Sequence, residues 1–199
     1  FSLRNSLLLA VLLFITQGSY NYIATLLPIF TVQALGWSDQ AYSQYFATAS
    51  LAGGIGGMLI GGILIDRFGK IRMMNIYFVM LILLTTSFVL LKSYWTSVSF
   101  IASFMMIYQL LYVFACIGIF AIAMECCWKK VSASQFTIYM TIGNLGRIVG
   151  AKLIGPVKLE LPWEYTILVF AGLIMLAWGI IQFLHIRNHV KHLHKLEGL

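Results

Sequence analysis

Six long apolar runs, joined by short connectors, constrain this chain more than any other feature. They cover about 6–32, 41–65, 73–91, 96–124, 134–157 and 163–186. A helix needs about 20 largely apolar residues to cross a bilayer, and each run is long enough. Backbone N–H and C=O groups in lipid must be satisfied within their own segment, so continuous runs of this length mean helices. Barrel strands alternate polar and apolar over about ten residues and do not match. The expected fold is therefore all-α: a polytopic membrane protein in which residues 1–199 form one six-helix transmembrane bundle, with 187–199 as a short basic tail. Bulk composition agrees, with 61% apolar and 10% charged residues and a mean hydropathy of +0.92. No polar shell is left for a water-facing surface, which excludes a soluble enzyme, a disordered regulator and a nucleic-acid-binding domain.

The cations set the expected orientation. With six crossings, Arg4, Arg67, Lys70, Arg72, Lys129, Lys130, Arg187, Lys191 and Lys195 share one side, and Lys92 and Lys158 face the other. The excess of Lys and Arg marks the cytoplasmic side, so both termini are expected there. The same bias explains the net charge of +7 without an acidic partner. The three cysteines, Cys116, Cys126 and Cys127, have no framework spacing and read as reduced thiols. Four histidines (His185, His189, His192, His194) read as a solvated basic extension of the sixth helix, since no carboxylate or cysteine nearby completes a metal site. No metal and no cofactor are expected. The chain begins with Phe1, so either its start is processed or it is a piece of a longer protein.

Two local patterns stand out within the runs. Gly53, Gly57 and Gly61 recur every four residues, giving the second helix a face without side chains that another helix can approach closely. At the end of that helix comes Gly62-Ile63-Leu64-Ile65-Asp66-Arg67-Phe68-Gly69-Lys70-Ile71-Arg72. Gly69 permits the reversal with positive φ. Asp66 can accept from the N-terminus of a neighbouring helix. Arg67, Lys70 and Arg72 either hold the loop at the headgroups or pair with acids across the bundle. A merely cationic loop would leave Asp66 and the two glycines, Gly62 and Gly69, unexplained.

Intramembrane polar residues are functional suspects. Arg147 lies about 20 Å into the fifth run at 1.5 Å per residue, too deep for easy snorkelling. It is either a cavity-facing cation for a carboxylate or phosphate or one member of an ion pair with another part of the protein. Gln17, Asn21 and Thr25 form a stripe on the first helix that either lines a polar path or joins helices. Tyr108, Gln109 and Tyr112 make a weaker stripe on the fourth, and Tyr139 and Asn144 accompany Arg147 on the fifth. Pro28 is expected to bend the first helix near its outer end. Glu125 reads as the local ion-pair partner of Lys129 and Lys130.

The Gly62–Arg72 stretch resembles the signature loop of the major facilitator superfamily: Gly, three residues, Asp-Arg, any residue, Gly, then cations. Ile71 stands where the family often has a second adjacent cation. Gln33-Ala34-Leu35-Gly36-Trp37-Ser38, Ser134-Gln135-Phe136 and Gly143-Asn144-Leu145-Gly146-Arg147 are similar to the second half of muropeptide-permease-like (AmpG-like) members and the acetyl-CoA transporter branch. The resemblance implies helices seven to twelve of a twelve-helix transporter, with an N-terminal six-helix half absent from this sequence. It also implies a bacterial inner membrane and a small solute, a muropeptide, siderophore or acyl-CoA-like anion, moved by alternating access. Asp66, Glu125 and the loop cations then serve the inner gate. Gln17-Gly18-Ser19 stands where many AmpG-like members carry an acid beside Gly, so coupling to a proton gradient through this half stays open. Two other functions remain: a non-transporting scaffold or assembly subunit, and a membrane-embedded transferase. The transferase would need a nucleophile, base or metal cluster, and the sequence has no such motif.

Overall fold

A computed structural model of the protein describes residues 2–184; the four histidines and the basic tail lie outside the described residues. Six long helices carry almost all of it: α1 (Ser2–Gln33), α2 (Asp39–Phe68), α3 (Lys70–Leu90), α4 (Val98–Glu125), α5 (Ser132–Glu160) and α6 (Trp163–Gln182). The fold is all-α, with no strand among the described residues. Its helix ends follow the apolar runs to within a few residues. α6 stops at Gln182, before residue 186, because the Phe183 N–H turns back to the Ile180 carbonyl at 3.0 Å.

Local chemistry sets the breaks. The Ser38 hydroxyl caps α2 by accepting from the Ala41 N–H at 3.2 Å. Gly69, at φ 90°, divides α2 from α3 in the backbone region that favours glycine, as its place in the motif requires. α1 continues through Pro28, and the Thr31 hydroxyl donates to the Leu27 and Pro28 carbonyls at 2.9 and 3.2 Å. α2 contains one π-helical turn, Gly57–Gly61.

Five helices, α1 to α4 and α6, are long and apolar enough to cross a membrane. α5 has the length, but Asn144, Arg147 and Lys152 lower its hydropathy. Its place in the bundle comes from its neighbour. α5 packs more extensively on α1 than any other two helices pack on each other. Phe14 meets Gly146 and Gly18 meets Gly150, so the two helices advance together and run parallel. The remaining contacts give the spatial order α2, α4, α3, α6, α1, α5, an arc with α2 and α5 at its two ends. An aromatic cluster closes the end away from Gly69, where Phe30 lies 4.9 Å from Trp95 and Phe88 stacks on Phe104 at 4.0 Å. Tyr22 ties α1 to α6, donating from its hydroxyl to the Thr166 carbonyl at 2.8 Å.

The glycine stripe of α2 faces α4, but the approach differs from the expected backbone contact. A Cβ on Gly57 would lie 2.5 Å from Val113 Cγ1, and one on Gly61 would lie 2.7 Å from Ile117 Cδ1. Only at Gly53 does the α4 backbone come near, with the Gln109 carbonyl oxygen at 3.2 Å. Side chains of α4 fill the stripe. Backbone contact occurs instead between α1 and α5, where a Cβ on Gly146 would overlap the Phe14 carbonyl and one on Gly150 the Gly18 carbonyl.

Candidate functional site

Where α1, α4 and α5 converge, their polar residues form one connected group. The Gln17 amide oxygen accepts from Arg147 Nε at 2.9 Å and from the Tyr112 hydroxyl at 3.2 Å. Gln17 Nε2 points to Cys116 Sγ at 3.8 Å. Asn21, one turn further along α1, donates to the Arg147 carbonyl at 2.9 Å. Tyr20 stacks on Tyr112 with centroids 3.8 Å apart, and the Arg147 guanidinium carbon lies 5.5 Å above the Tyr20 ring. The close α1–α5 crossing places Gln17 against α5, since a Cβ on Gly143 would sit 3.2 Å from Gln17 Cγ.

Beside this group lies a cavity of about 180 Å³, lined by Leu13, Gln17, Phe120, Tyr139, Met140, Gly143, Asn144 and Arg147. Four candidates from the sequence (Gln17, Tyr139, Asn144 and Arg147) therefore border one space, and Asn21 and Tyr112 hold it from behind. Tyr139 is buried, and its hydroxyl accepts from Gln135 Nε2 at 3.1 Å. Tyr108 and Gln109 stand apart from the cavity. Tyr108 is enclosed by Phe104, Tyr112 and Phe170, while Gln109 lies against Gly53 of α2. Tyr108 shares a face of α4 with Tyr112, one turn away with ring centroids 6.2 Å apart, but α4 meets the cavity at Phe120, twelve residues further along the helix. Thr25 is half-buried and makes no side-chain hydrogen bond among the described residues.

At the Gly69 end, Lys70 pairs with Glu125 at 2.5 Å. This pair joins the motif loop to the end of α4, so Lys70 meets an acid from across the bundle. An ion pair this exposed contributes about 0.2–1 kcal/mol. An open cleft of about 950 Å³ runs past Asp66, Gly69, Lys70, Arg72 and Glu125. Asp66 and Arg72 are exposed and make no ion pair or side-chain hydrogen bond among the described residues. Asp66 does not reach a helix N-terminus, because it sits on the outward face of the last turn of α2. Arg67 lies over the Phe68 ring, its guanidinium carbon 5.6 Å from the centroid. Gly62 has open space beside it.

Several contributors were not singled out from the sequence. Tyr20 and Cys116 complete the polar group, three and four residues from Gln17 and Tyr112, so helical spacing alone could have found them. Gln135 fastens the α4–α5 connector: its Oε1 accepts from the Trp128 N–H at 2.9 Å and its Nε2 donates to the Cys126 carbonyl at 3.5 Å. All three thiols are unbridged. Burial, aided by the neighbouring Glu125 carboxylate, pushes the Cys126 thiol up to about 12, so it stays protonated and unreactive.

No curated protein matches this chain. The family model described as Major Facilitator Superfamily matches residues 1–151, which take in the motif loop, the polar group and the start of the second half of α5. With that match over three quarters of its length, the chain belongs to the Major Facilitator Superfamily, a family of membrane transporters that handle small solutes.

Proposed function

We propose that the chain forms helices seven to twelve of a secondary active transporter, moving a small anionic solute by alternating access against an N-terminal six-helix half. One observation carries this reading. Arg147 is exposed about 22 Å along α5 at 1.5 Å per residue. A charge at such depth costs about 2.5–3.5 kcal/mol in lipid, so this face needs protein or a water-filled path across from it. Transporters built from repeats hold solute at the midplane between the repeats. Asp66, without an ion pair among the described residues, supports the same partner, since a helix N-terminus from the other half would meet its carboxylate. The cation bias favours a cytoplasmic Gly69 end, and the resemblance to AmpG-like and acetyl-CoA transporters favours a bacterial inner membrane. All six helices cross the membrane in this reading, α5 being sheltered by α1 and the partner half. A scaffold role would leave the Arg147 group and the motif loop without a use.

Asn144 provides the test, because it is exposed and lines the cavity. In sealed vesicles holding the protein as its cell makes it, with Asn144→Cys and the three native cysteines changed to Ser, a membrane-impermeant thiol reagent should label the introduced thiol from either side. Protection from one side whenever the other is open would mark alternating access. Labelling from one side only, under every condition, would support the scaffold and overturn the transporter reading.

A further inference from the structure

The cavity beside Arg147 narrows the chemistry of the solute. Among the described residues Arg147 is the sole charged one lining it, and Leu13, Phe120 and Met140 supply an apolar wall. A guanidinium carries five N–H donors, and here Nε is committed to Gln17 Oε1. Both terminal amino groups remain open, since neither ion pair among the described residues involves Arg147. Asn144, one turn earlier on α5, faces the same space and makes no side-chain hydrogen bond among the described residues. Gln17 Oε1 already accepts two hydrogen bonds, from Arg147 and Tyr112, which fills its lone pairs.

We propose that this cavity is the headgroup site for an amphipathic monocarboxylate, with Gln17 as a positioning residue. The terminal amino groups of Arg147 present a planar fork that matches a carboxylate with two parallel bonds. Asn144 donates a further hydrogen bond, and the apolar body of the solute lies on Leu13, Phe120 and Met140. Charge selects the class: one guanidinium balances one negative charge, whereas a phosphomonoester carries about −1.5 to −2, and no second cation among the described residues lines the cavity to meet the excess. Gln17 holds Nε so that the open edge of the fork faces the cavity. The proposal rests on the transporter reading for treating this cavity as a solute site, but binding can be measured without transport.

The experiment is calorimetric binding of benzoate, benzamide and phenyl phosphate to the full chain in lipid nanodiscs, with thermal unfolding recorded for each variant. Benzoate is expected to bind at least about tenfold tighter than benzamide, which lacks the charge. Phenyl phosphate is expected to bind more weakly than benzoate. Arg147→Lys should weaken benzoate at least about tenfold, because the point charge loses the fork. Gln17→Glu should abolish benzoate binding with the unfolding temperature unchanged or raised, since its carboxylate occupies Arg147. A merely structural role for Gln17 would show as a lowered unfolding temperature with benzoate still bound. No benzoate binding, benzamide equal to benzoate, phenyl phosphate tighter than benzoate, or benzoate bound normally by Gln17→Glu would each overturn the assignment. Benzoate binding with one-sided labelling of the thiol introduced at position 144 would remove the transporter reading and leave the site. Two-sided labelling without benzoate binding would do the reverse.

Discussion

Two parallel helix pairs in this bundle meet through glycine, and they do so by different means. Between α1 and α5, glycine stands on both sides, and the carbonyls of Phe14 and Gly18 rest against Gly146 and Gly150. Between α2 and α4 the stripe is on one side only, and Val113 and Ile117 push side chains into it. The first contact brings two backbones together, where close packing and Cα–H···O contacts act over a rigid surface. The second is a groove filled by side chains that can change rotamer. The rigid contact also carries the site, because Gln17 and Asn21 reach Arg147 only while α1 and α5 stay this close. The adjustable contact carries the motif loop at the end of α2.

The largest expected effect is at Gly150. Gly150→Ala forces its methyl into the Gly18 carbonyl, so the helices must separate, and a loss of about 3 kcal/mol or more is expected on the overpacking scale. Denaturant unfolding in micelles would measure it, and a cost no larger than that of Gly57→Ala would erase the distinction between the two contacts. Gly57→Ala is intermediate: its methyl meets Val113 Cγ1, and about 1–2 kcal/mol should be lost. Most of that loss should return in the Gly57→Ala/Val113→Ala pair, because the obstacle is one movable side chain. A double-mutant cycle without coupling would place the strain in the backbone instead. The smallest effect is at Gly54, where a Cβ meets nothing within 4 Å. Gly54→Ala should stabilise the helix by about 0.5–1 kcal/mol, the ordinary penalty of a mid-helix glycine. Destabilisation there would mean that α2 needs flexibility next to its π-helical turn.

Much of the architecture was legible beforehand for a simple reason. Lipid forbids unsatisfied backbone, so run length alone marks helices, and Gly69 and Ser38 act through their own local geometry. The polar group was legible in part. Gln17, Asn21, Asn144 and Arg147 are polar where lipid should surround them, which makes each conspicuous alone. Tyr108 and Gln109 are equally conspicuous yet lie off the cavity, because polarity does not say at what depth along a helix a cavity will open. Gly53, Gly57 and Gly61 announce a contact by their spacing but not its kind, which depends on whether the facing helix offers Gly or Val.

The amino-acid sequence by itself determined the all-α class, the number of long helices, the break at Gly69 and the presence of a deep guanidinium. Each follows from chemistry within one segment, length, charge or φ, and needs no neighbour. Only the tertiary structure decided that Glu125 pairs with Lys70, that Gln17 is consumed in holding Arg147, and that Gly146 and Gly150 bear the backbone of α1. These are contacts between residues 55 to more than 100 positions apart. They depend on the rotation and register of whole helices, which packing sets and no local pattern records.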